Sequence, residues 1–354
     1  MNPSEQKNNI ILSGGGTGGS VTPLIAVAEE MDLGQKGRYA FHWVGTDSGI
    51  EQRLTSGYPF TYHAIAAGKL RRYFSVQNFL DWINIMIGFF QSLALLHSLK
   101  PRIVMSAGGF VSVPLIWVAR LLDIPILIHQ QDFRPGLANK LMAPFATVIT
   151  TVFEKSVNDY GQKARWIGNP MRQQIKAARA EMHTKPCLLV LGGGTGSQSI
   201  NDLISNNLKQ LLEFVDIVHI TGKHDTRSVL REDLPGYQSY DLLDSFHMAK
   251  AMANADIVVT RAGLGTLSEL SYLGKATIII PIPDSHQEDN ANYFSEHKAA
   301  IVLDQKSLNN ETFVSALRDL ISNQAKREAL SQNIKEAMKQ DANEAMYQVI
   351  EKML

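Results

Sequence analysis

The sequence predicts an α/β protein with two similar lobes, each built on a parallel sheet. The pentapeptide Gly-Gly-Gly-Thr-Gly occurs twice, at residues 14–18 and 192–196. Each copy follows an apolar run typical of a buried strand and precedes a stretch with helical spacing. Strand-like and helical runs alternate in both halves, which favours parallel sheets covered by helices on both faces. A length of 354 residues also favours two domains over one.

In the first half, apolar runs predict five strands, and the stretches between them predict four helices. The strands cover residues 9–12, 40–44, 103–106, 126–129 and 148–151. The helices cover residues 23–31, 76–99, 113–122 and 136–142.

The second half repeats this alternation after a turn predicted at Gly168-Asn169-Pro170. The strands cover residues 187–191, 216–220, 257–260, 277–280 and 300–303. The helices cover residues 199–212, 248–253, 266–272, 290–297 and 309–322, and one or two polar helices follow over 326–354.

The composition is that of an ordinary soluble globular protein, with 45% hydrophobic and 19% charged residues. Lys and Arg together number 34, as do Asp and Glu, so no basic field indicates a nucleic-acid partner. The single cysteine, Cys187, excludes a disulfide framework and fits a reducing cytoplasm. The N-terminus lacks a signal-peptide core. The longest apolar stretch, residues 82–96, is shorter than the roughly 20 residues that span a bilayer, which predicts a helix and not a membrane span.

The glycine-rich turns between strand and helix are typical of phosphate binding, because glycine allows close approach and the helix N-terminus offers N–H donors. No Lys-Ser or Lys-Thr pair follows the glycines of the N-terminal glycine loop (residues 14–19), so this loop is not a nucleotide-triphosphate loop. The middle glycine loop (residues 107–111) also opens a predicted helix. The alternative to phosphate binding is that these glycines serve only a tight turn or the close packing of a helix, without a ligand.

Polar residues directly follow the strand predicted at 126–129. They are His129, Gln130, Gln131 and Asp132. In an open parallel sheet this position lies at the edge of the binding cleft. A lone histidine there is more often a hydrogen-bonded structural group than a base, whereas Asp132 is a carboxylate that could take a proton.

Two segments of the second half carry candidate ligand groups after predicted strands. Glu269 follows Arg261 and the glycines at 263 and 265, and its carboxylate could accept two hydrogen bonds from a ribose. The alternative is an acid placed favourably near a helix N-terminus. Gln287 and Asn290 are about one helical turn apart and can face one ligand. A metal site at His286 is weakly indicated, because no matching ligand set occurs elsewhere.

Taken together, these segments resemble the MurG family, whose members are membrane-associated N-acetylglucosaminyltransferases that make lipid II for peptidoglycan. The order and spacing of the segments, from residue 10 to about 303, make the resemblance specific. The matching segments are 15–19, 108–112, 168–172, 261–263 with 268–269, and 286–287 with 290–291.

The resemblance implies a GT-B fold, in which two Rossmann-like domains have parallel sheets that face a central cleft. The acceptor domain would comprise residues 1–165 and a C-terminal helix at 338–354, and the UDP-GlcNAc domain residues 166–337. It also implies inverting transfer of GlcNAc from UDP-GlcNAc to lipid I without a metal ion or other cofactor.

The resemblance further assigns roles to residues of this chain. Glu269 would bind the donor ribose, Gln287 and Asn290 the GlcNAc, and the helix N-terminus at 264–268 the diphosphate. The donor-binding residues would be Thr17, Gly18, Gly19, Asp132, Arg172, Gly194, Thr195, Leu264, Gly265, Thr266, Leu267, Ser268, Glu269, Gln287 and Asn290. The acceptor-binding residues would be Gly15, Gly16, Gly108, Gly109, His129 and Gln130.

Three positions depart from the family pattern. Ser20 stands where the family usually has a histidine that is a proposed base, and a serine hydroxyl cannot take a proton as imidazole can. The family's sequence His-Glu-Gln-Asn is replaced by His-Gln-Gln-Asp at residues 129–132. In the second glycine pentapeptide, residues 192–196, Gly194 stands where the family has a serine. The catalytic candidates are therefore Asp132, as a replacement for the missing imidazole, and Ser20.

A membrane contact is predicted by residues 69–74, which join three cations to two aromatics ahead of an apolar helix. This pattern suits peripheral docking on anionic lipids at the cytoplasmic face of the membrane. The alternative is that Ile83, Ile87 and Leu95 face the core. Two other functions stay open: transfer to a different lipid acceptor, and a UDP-GlcNAc-binding protein or epimerase with altered catalytic residues.

Overall fold

A computed structural model of the protein describes residues 7–68, 77–193, 196–222 and 234–354, and of residues 77–80 only the helical backbone. The chain divides into two compact units. Unit 1 comprises Met1–Arg172 and Asp341–Leu354, and unit 2 comprises Gln173–Gln340. The limits expected from the sequence, 165 and 337, fall a few residues before these divisions.

Unit 1 contains a sheet of seven parallel strands. They are β1 (Asn8–Ser13), β2 (Tyr39–Gly45), β3 (Thr61–Ala64), β4 (Ile103–Ser106), β5 (Ile126–Gln130), β6 (Val148–Thr151) and β7 (Ala164–Trp166). Their order is β3-β2-β1-β4-β5-β6-β7, and every pair is parallel. The order therefore reverses between β1 and β4, and such switch points are where open parallel sheets bind ligands.

Among the described residues, five α-helices accompany this sheet before the chain enters unit 2. They are α1 (Thr22–Gly34), α2 (Ile50–Thr55), α3 (Gln77–Leu99), α4 (Ser112–Leu121) and α5 (Leu137–Met142). Over Asp81–Leu99, α3 is long and apolar enough to cross a membrane by length and composition alone, and 22% of that stretch is buried.

Unit 2 contains a second parallel sheet, of six strands. They are β8 (Cys187–Leu191), β9 (Asp216–Ile220), β10 (Tyr237–Tyr240), β11 (Ile257–Thr260), β12 (Ala276–Ile279) and β13 (Ile301–Val302), in the order β10-β9-β8-β11-β12-β13. The helices are α6 (Gln173–Ala177), α7 (Gln198–Leu212), α8 (Ser245–Asn254), α9 (Leu264–Leu273), α10 (His286–Glu296), α11 (Asn310–Ser322) and α12 (Gln324–Glu336). The switch point of this sheet lies between β8 and β11.

The last helix, α13 (Ala342–Glu351), returns to unit 1. Its Met346 and Ile350 are fully buried in the core formed by β1 and α1. The side chain of Asn343 accepts a hydrogen bond from the backbone N–H of Met171 (2.7 Å) and donates to the carbonyl oxygen of the same residue (2.9 Å). Apolar packing and these two bonds fix α13 on unit 1.

Apolar strands explain why both sheets form. Residues 10–12 of β1 and 188–190 of β8 are fully buried, and such runs are typical of strands covered on both faces. The prediction of an α/β protein with two parallel sheets is confirmed.

Candidate active site

In unit 1, three loops meet at the carboxyl ends of the neighbouring strands β1, β4 and β5. The N-terminal glycine loop follows β1, the middle glycine loop follows β4, and residues 131–134 follow β5. The two glycine loops touch, since a Cβ atom added at Gly109 would lie 2.7 Å from the carbonyl oxygen of Gly15. The backbone of Gly109 also has a φ of +95°, which favours glycine. Glycine at 109 is thus needed for both space and conformation.

Ser20 is buried behind the N-terminal glycine loop. Its hydroxyl lies 3.1 Å from the carbonyl oxygens of both Gly15 and Thr17 and donates to them. On the opposite side, Nε2 of Gln131 donates to the carbonyl oxygen of Gly19 (2.6 Å). Because the hydroxyl is committed to the backbone, the structure favours a loop-stabilising role for Ser20 over the predicted catalytic one.

His129 is fully buried in β5, and both of its ring nitrogens have partners. Nδ1 lies 3.0 Å from Oγ1 of Thr150, and Nε2 lies 2.9 Å from Oδ1 of Asn169. Burial lowers the pKa of His129 from 6.5 to about 4, so the ring is neutral at physiological pH. These contacts favour a structural role over the predicted acceptor contact.

Gln130 is buried beside it and shapes the loop that follows β5. Its Nε2 donates to the backbone oxygen of Asp132 (2.6 Å), and its Oε1 accepts from Nδ2 of Asn139 (2.6 Å) and from the hydroxyl of Tyr160 (3.0 Å). The side chain of Gln130 is therefore occupied by protein groups, which again favours support over direct acceptor binding. Asp132 itself is half-buried and directly follows Gln131, which contacts the N-terminal glycine loop.

The other unit 1 candidates lie in the same loops, apart from Arg172. Gly16 and Thr17 are exposed at the tip of the N-terminal glycine loop, and Gly18 and Gly19 are half-buried. Gly108 has a φ of +104° in the middle glycine loop. Arg172 is buried at the last position of unit 1.

In unit 2, the C-terminal glycine loop (residues 192–196) connects β8 to α7. Its predicted donor-binding residues Gly194 and Thr195 lie outside the described residues. Gly193 and Gly196 have φ values of +85° and +84°. Ser197 caps α7 by accepting a hydrogen bond from the N–H of Ile200 at 3.4 Å.

Arg261 ties the start of α7 to the residues that follow β12, although its sequence context predicted no role of its own. Its Nη2 donates to the hydroxyl oxygens of Ser197 (2.8 Å) and Ser199 (2.6 Å). Its Nη1 donates to the carbonyl oxygens of Ile280 (2.9 Å) and Pro281 (3.1 Å). All of these hydrogen-bond partners are neutral, and no carboxylate among the described residues pairs with the guanidinium of Arg261. Burial lowers the pKa of the guanidinium.

Gln287 and Asn290 face one group, as their spacing predicted, but that group is the backbone of Ala262. Oε1 of Gln287 accepts from the N–H of Ala262 and of Ile282, both at 3.2 Å. Nδ2 of Asn290 donates to the carbonyl oxygen of Ala262 at 3.1 Å. The fully buried Asn290 thus positions the turn that precedes α9.

The first two turns of α9 contain the remaining donor candidates, with Glu269 in the second turn. Leu264, Gly265, Leu267, Ser268 and Glu269 are buried and Thr266 is half-buried. The cap residue Gly263 provides no side-chain oxygen, so the first N–H groups of the helix stay available to an anion. Together with Arg261, the first turn gives unit 2 a cationic character at the carboxyl ends of β8 and β11.

Among the described residues, no group of three or more His, Cys, Asp or Glu side chains could hold a metal ion. The weakly indicated metal site at His286 therefore has no ligand set in that part of the chain.

Comparisons with known proteins agree with this geometry. Residues 10–151 match the glycosyltransferase family 28 N-terminal domain, and residues 187–346 match its C-terminal domain. A protein of Clostridium kluyveri is 36% identical over 325 residues, which cover 88% of this chain and 90% of that protein. A protein of Legionella pneumophila is 35% identical over 349 residues, which cover 95% of this chain and 93% of that protein. Both are named UDP-N-acetylglucosamine–N-acetylmuramyl-(pentapeptide) pyrophosphoryl-undecaprenol N-acetylglucosamine transferases.

Among solved structures, MurG of Acinetobacter baumannii is similar with a TM-score of 0.74 and 26% identity. The match covers 98% of this chain and 99% of that one.

The buried His129 predicts a pH-dependent stability of unit 1. Its pKa is lowered in the folded state, so the stabilising contribution is complete above pH 6.5 and is lost as the pH falls towards 4. With a folded pKa of about 4, the loss amounts to roughly 3 kcal/mol. All four tryptophans lie in unit 1. Urea unfolding followed by tryptophan fluorescence at several pH values therefore measures the stability of this unit.

His129→Asn removes the titrating ring and is expected to flatten this pH dependence. The same change at the exposed His97 is the matched control. Identical pH dependence in wild type and His129→Asn would contradict the interpretation.

Proposed function

The chain belongs to the MurG family within glycosyltransferase family 28, and from this premise we propose that it transfers GlcNAc from UDP-GlcNAc to lipid I and so forms lipid II. The observation that carries the proposal is the extent of the similarity. Relatives that bear the full name of this activity are about 35% identical over nine-tenths of the chain. The N-terminal family match spans β1 to β6 of the first sheet, and the C-terminal match spans all six strands of the second.

Unit 2 is the proposed donor site, since its loops suit an anionic diphosphate. The α9 N-terminus and the C-terminal glycine loop would bind the diphosphate, Glu269 the ribose, and Gln287 the GlcNAc through its Nε2 group. Stabilising the charge that develops on the departing UDP is the largest electrostatic contribution expected of such a site. Arg172, Thr17, Gly18 and Gly19 remain proposed contacts to the donor.

In the proposed reaction, a hydroxyl of the acceptor sugar attacks the anomeric carbon of GlcNAc. The new C–O bond forms on the face opposite UDP, the bond to the phosphate oxygen breaks, and its electron pair leaves with UDP. The anomeric centre is therefore inverted. The acceptor hydroxyl must lose its proton to a base as the bond forms.

Asp132 is the proposed base. Ser20 donates its proton to backbone oxygens, and the ring of His129 is buried with both nitrogens bonded. The half-buried carboxylate of Asp132 follows Gln131, which contacts the N-terminal glycine loop. A carboxylate at this position can reach a substrate that lies on that loop.

The reaction is tested by incubating the protein with UDP-GlcNAc and a short-chain lipid I analogue, without added metal. Release of UDP together with a disaccharide product is expected. Absence of both would refute the proposed function. UDP release with free GlcNAc and no disaccharide would show hydrolysis of the donor by water and would refute transfer to lipid I.

Asp132→Asn is expected to lower kcat by about 10²- to 10⁴-fold, the usual contribution of a general base. If Asp132 acts as the base and not as the donor contact that the family resemblance implies, the KM for UDP-GlcNAc should stay unchanged. Asp123→Asn is the matched control, since Asp123 precedes β5 at its opposite end and is exposed. Full turnover of Asp132→Asn would rule out this role.

A lipid-linked acceptor requires contact with the membrane, and α3 is the proposed docking element at its cytoplasmic face. Trp82, Met86 and Phe90 on α3 are 53%, 50% and 61% exposed, and Ile83 and Ile87 are 45% and 44% exposed. Ile83 and Ile87 therefore do not face the core, which corrects the alternative interpretation of this helix, while Leu95 packs partly against it. The cationic segment 69–74 lies outside the described residues.

The double variant Met86→Asp/Phe90→Asp should weaken binding to vesicles of anionic phospholipid by at least about tenfold, because burying one large apolar side chain contributes roughly 2 kcal/mol. Co-sedimentation at low salt measures this. The matched control is Leu33→Asp/Leu121→Asp, which changes two exposed apolar residues on other helices of unit 1. Equal losses in both double variants would exclude α3 as the specific contact.

A further inference from the structure

A fully buried carboxylate lies beneath the N-terminal glycine loop. Glu51, on α2, is 0% exposed. Its Oε2 accepts a hydrogen bond from the N–H of Gly16 (3.3 Å), and its Oε1 accepts from the N–H (2.9 Å) and the hydroxyl (2.7 Å) of Thr46. In the part of unit 1 that the structure describes, no cation forms an ion pair with it. Glu51 therefore holds an N–H group that a phosphate-binding loop would present to its ligand.

Three glycines make room for this carboxylate. A Cβ atom at Gly15 would lie 2.8 Å from Oε1 of Glu51, and one at Gly45 would lie 2.8 Å from its Cγ. A Cβ atom at Gly49 would also collide with the carboxylate. The loop and its surroundings are thus shaped around Glu51, and the glycines that suggested a phosphate site are needed for an internal contact.

The charge beneath the loop opposes anion binding. Inside a protein two like charges interact far more strongly than in water, since the effective dielectric constant is about 20 instead of 80. The C-terminal glycine loop shows the reverse arrangement, because the buried guanidinium of Arg261 contacts Ser197 directly after it. The first copy of the pentapeptide thus contacts a buried negative charge in unit 1, whereas a buried positive charge contacts the residue that directly follows the second copy in unit 2.

We propose that Glu51 is a positioning residue that fixes the N-terminal glycine loop to receive an uncharged, hydroxyl-bearing part of the acceptor and excludes phosphate from it. The acceptor half of this inference rests on the proposed function. The loop contacts Gln131, the residue before Asp132, so a sugar hydroxyl bound there would lie beside the proposed base. The acceptor's own diphosphate would bind elsewhere.

Glu51→Gln tests both parts at the same size, because it removes the charge and leaves one acceptor oxygen. With that oxygen held by the two donors of Thr46, the amide NH2 group that replaces Oε2 cannot accept from Gly16. The KM for the lipid I analogue should rise by about tenfold, as expected for loss of a hydrogen bond to a charged group. The KM for UDP-GlcNAc should rise less, because most of its proposed contacts lie in unit 2. Calorimetry with inorganic pyrophosphate should detect one binding site more than in the wild type. Calorimetry measures pyrophosphate binding and needs no turnover, so it tests the exclusion of phosphate even if the wild type has no transferase activity.

Two further variants separate positioning from charge. Gly15→Ala disturbs the same contact from the loop side but keeps the carboxylate, so the acceptor KM should rise without an added pyrophosphate site. Thr55→Val is the control, since the Thr55 hydroxyl touches only the backbone oxygens of Glu51 and Gln52. Its acceptor KM should equal that of the wild type.

The inference is overturned if Glu51→Gln binds no additional pyrophosphate. It is equally overturned if Glu51→Gln raises the KM of both substrates to the same extent and shifts the unfolding midpoint as well, which a purely structural role would produce. An inactive wild type whose Glu51→Gln variant gains the pyrophosphate site would instead refute the proposed function alone.

Discussion

Two buried charges, Glu51 in unit 1 and Arg261 in unit 2, fix the loops on which the proposed chemistry depends. Burying an ion costs several kcal/mol unless other groups replace its hydration. Backbone N–H groups and a hydroxyl do so for Glu51, and hydroxyl and carbonyl oxygens do so for Arg261. Each ion therefore requires the groups that bond to it to keep their positions. Loops held in this way stabilise a transition state without reorganising, which is the basis of electrostatic catalysis.

The interior strands were predictable because burial on both faces demands continuous apolar runs, and few other patterns resemble them. The strands that the sequence analysis missed, β3, β7 and β10, are edge strands with only one hydrogen-bonded neighbour each. They include exposed residues, such as Thr61 and Arg165, so their apolar signal is interrupted. The helix α2 was missed for a similar reason, since its six residues are mostly polar. Pattern reasoning thus identified the sheet centres, where ligands bind, better than the edges.

The location of the candidate site was predictable, but the role of each polar residue was not. Parallel strands place their carboxyl ends at one edge, so the loops had to converge within each sheet. Whether a side chain then faces a ligand or the backbone depends on distances that spacing does not encode. Gln287 and Asn290 share a face, yet that face bonds to Ala262. Glu51 lies 35 residues from Gly16 in the chain, and no local motif connects them.

Unit 1 contains both the proposed base and the exposed apolar residues of α3. Strand β1 connects α3 to the N-terminal glycine loop. Nδ2 of Asn9, in β1, donates to the carbonyl oxygen of Leu99 at the end of α3 (2.6 Å), and the N-terminal glycine loop begins directly after β1. Oε1 of Gln91 on α3 accepts from the N–H of Ala66, so a second contact fixes the helix (2.7 Å). An exposed apolar stripe on a monomer usually marks a binding surface. Because Asn9 bonds the end of α3 to β1, docking through this stripe would hold the glycine loop at a defined height above the lipid headgroups. A lipid-linked sugar needs such a fixed height, since its own reach from the membrane is set by the length of its diphosphate.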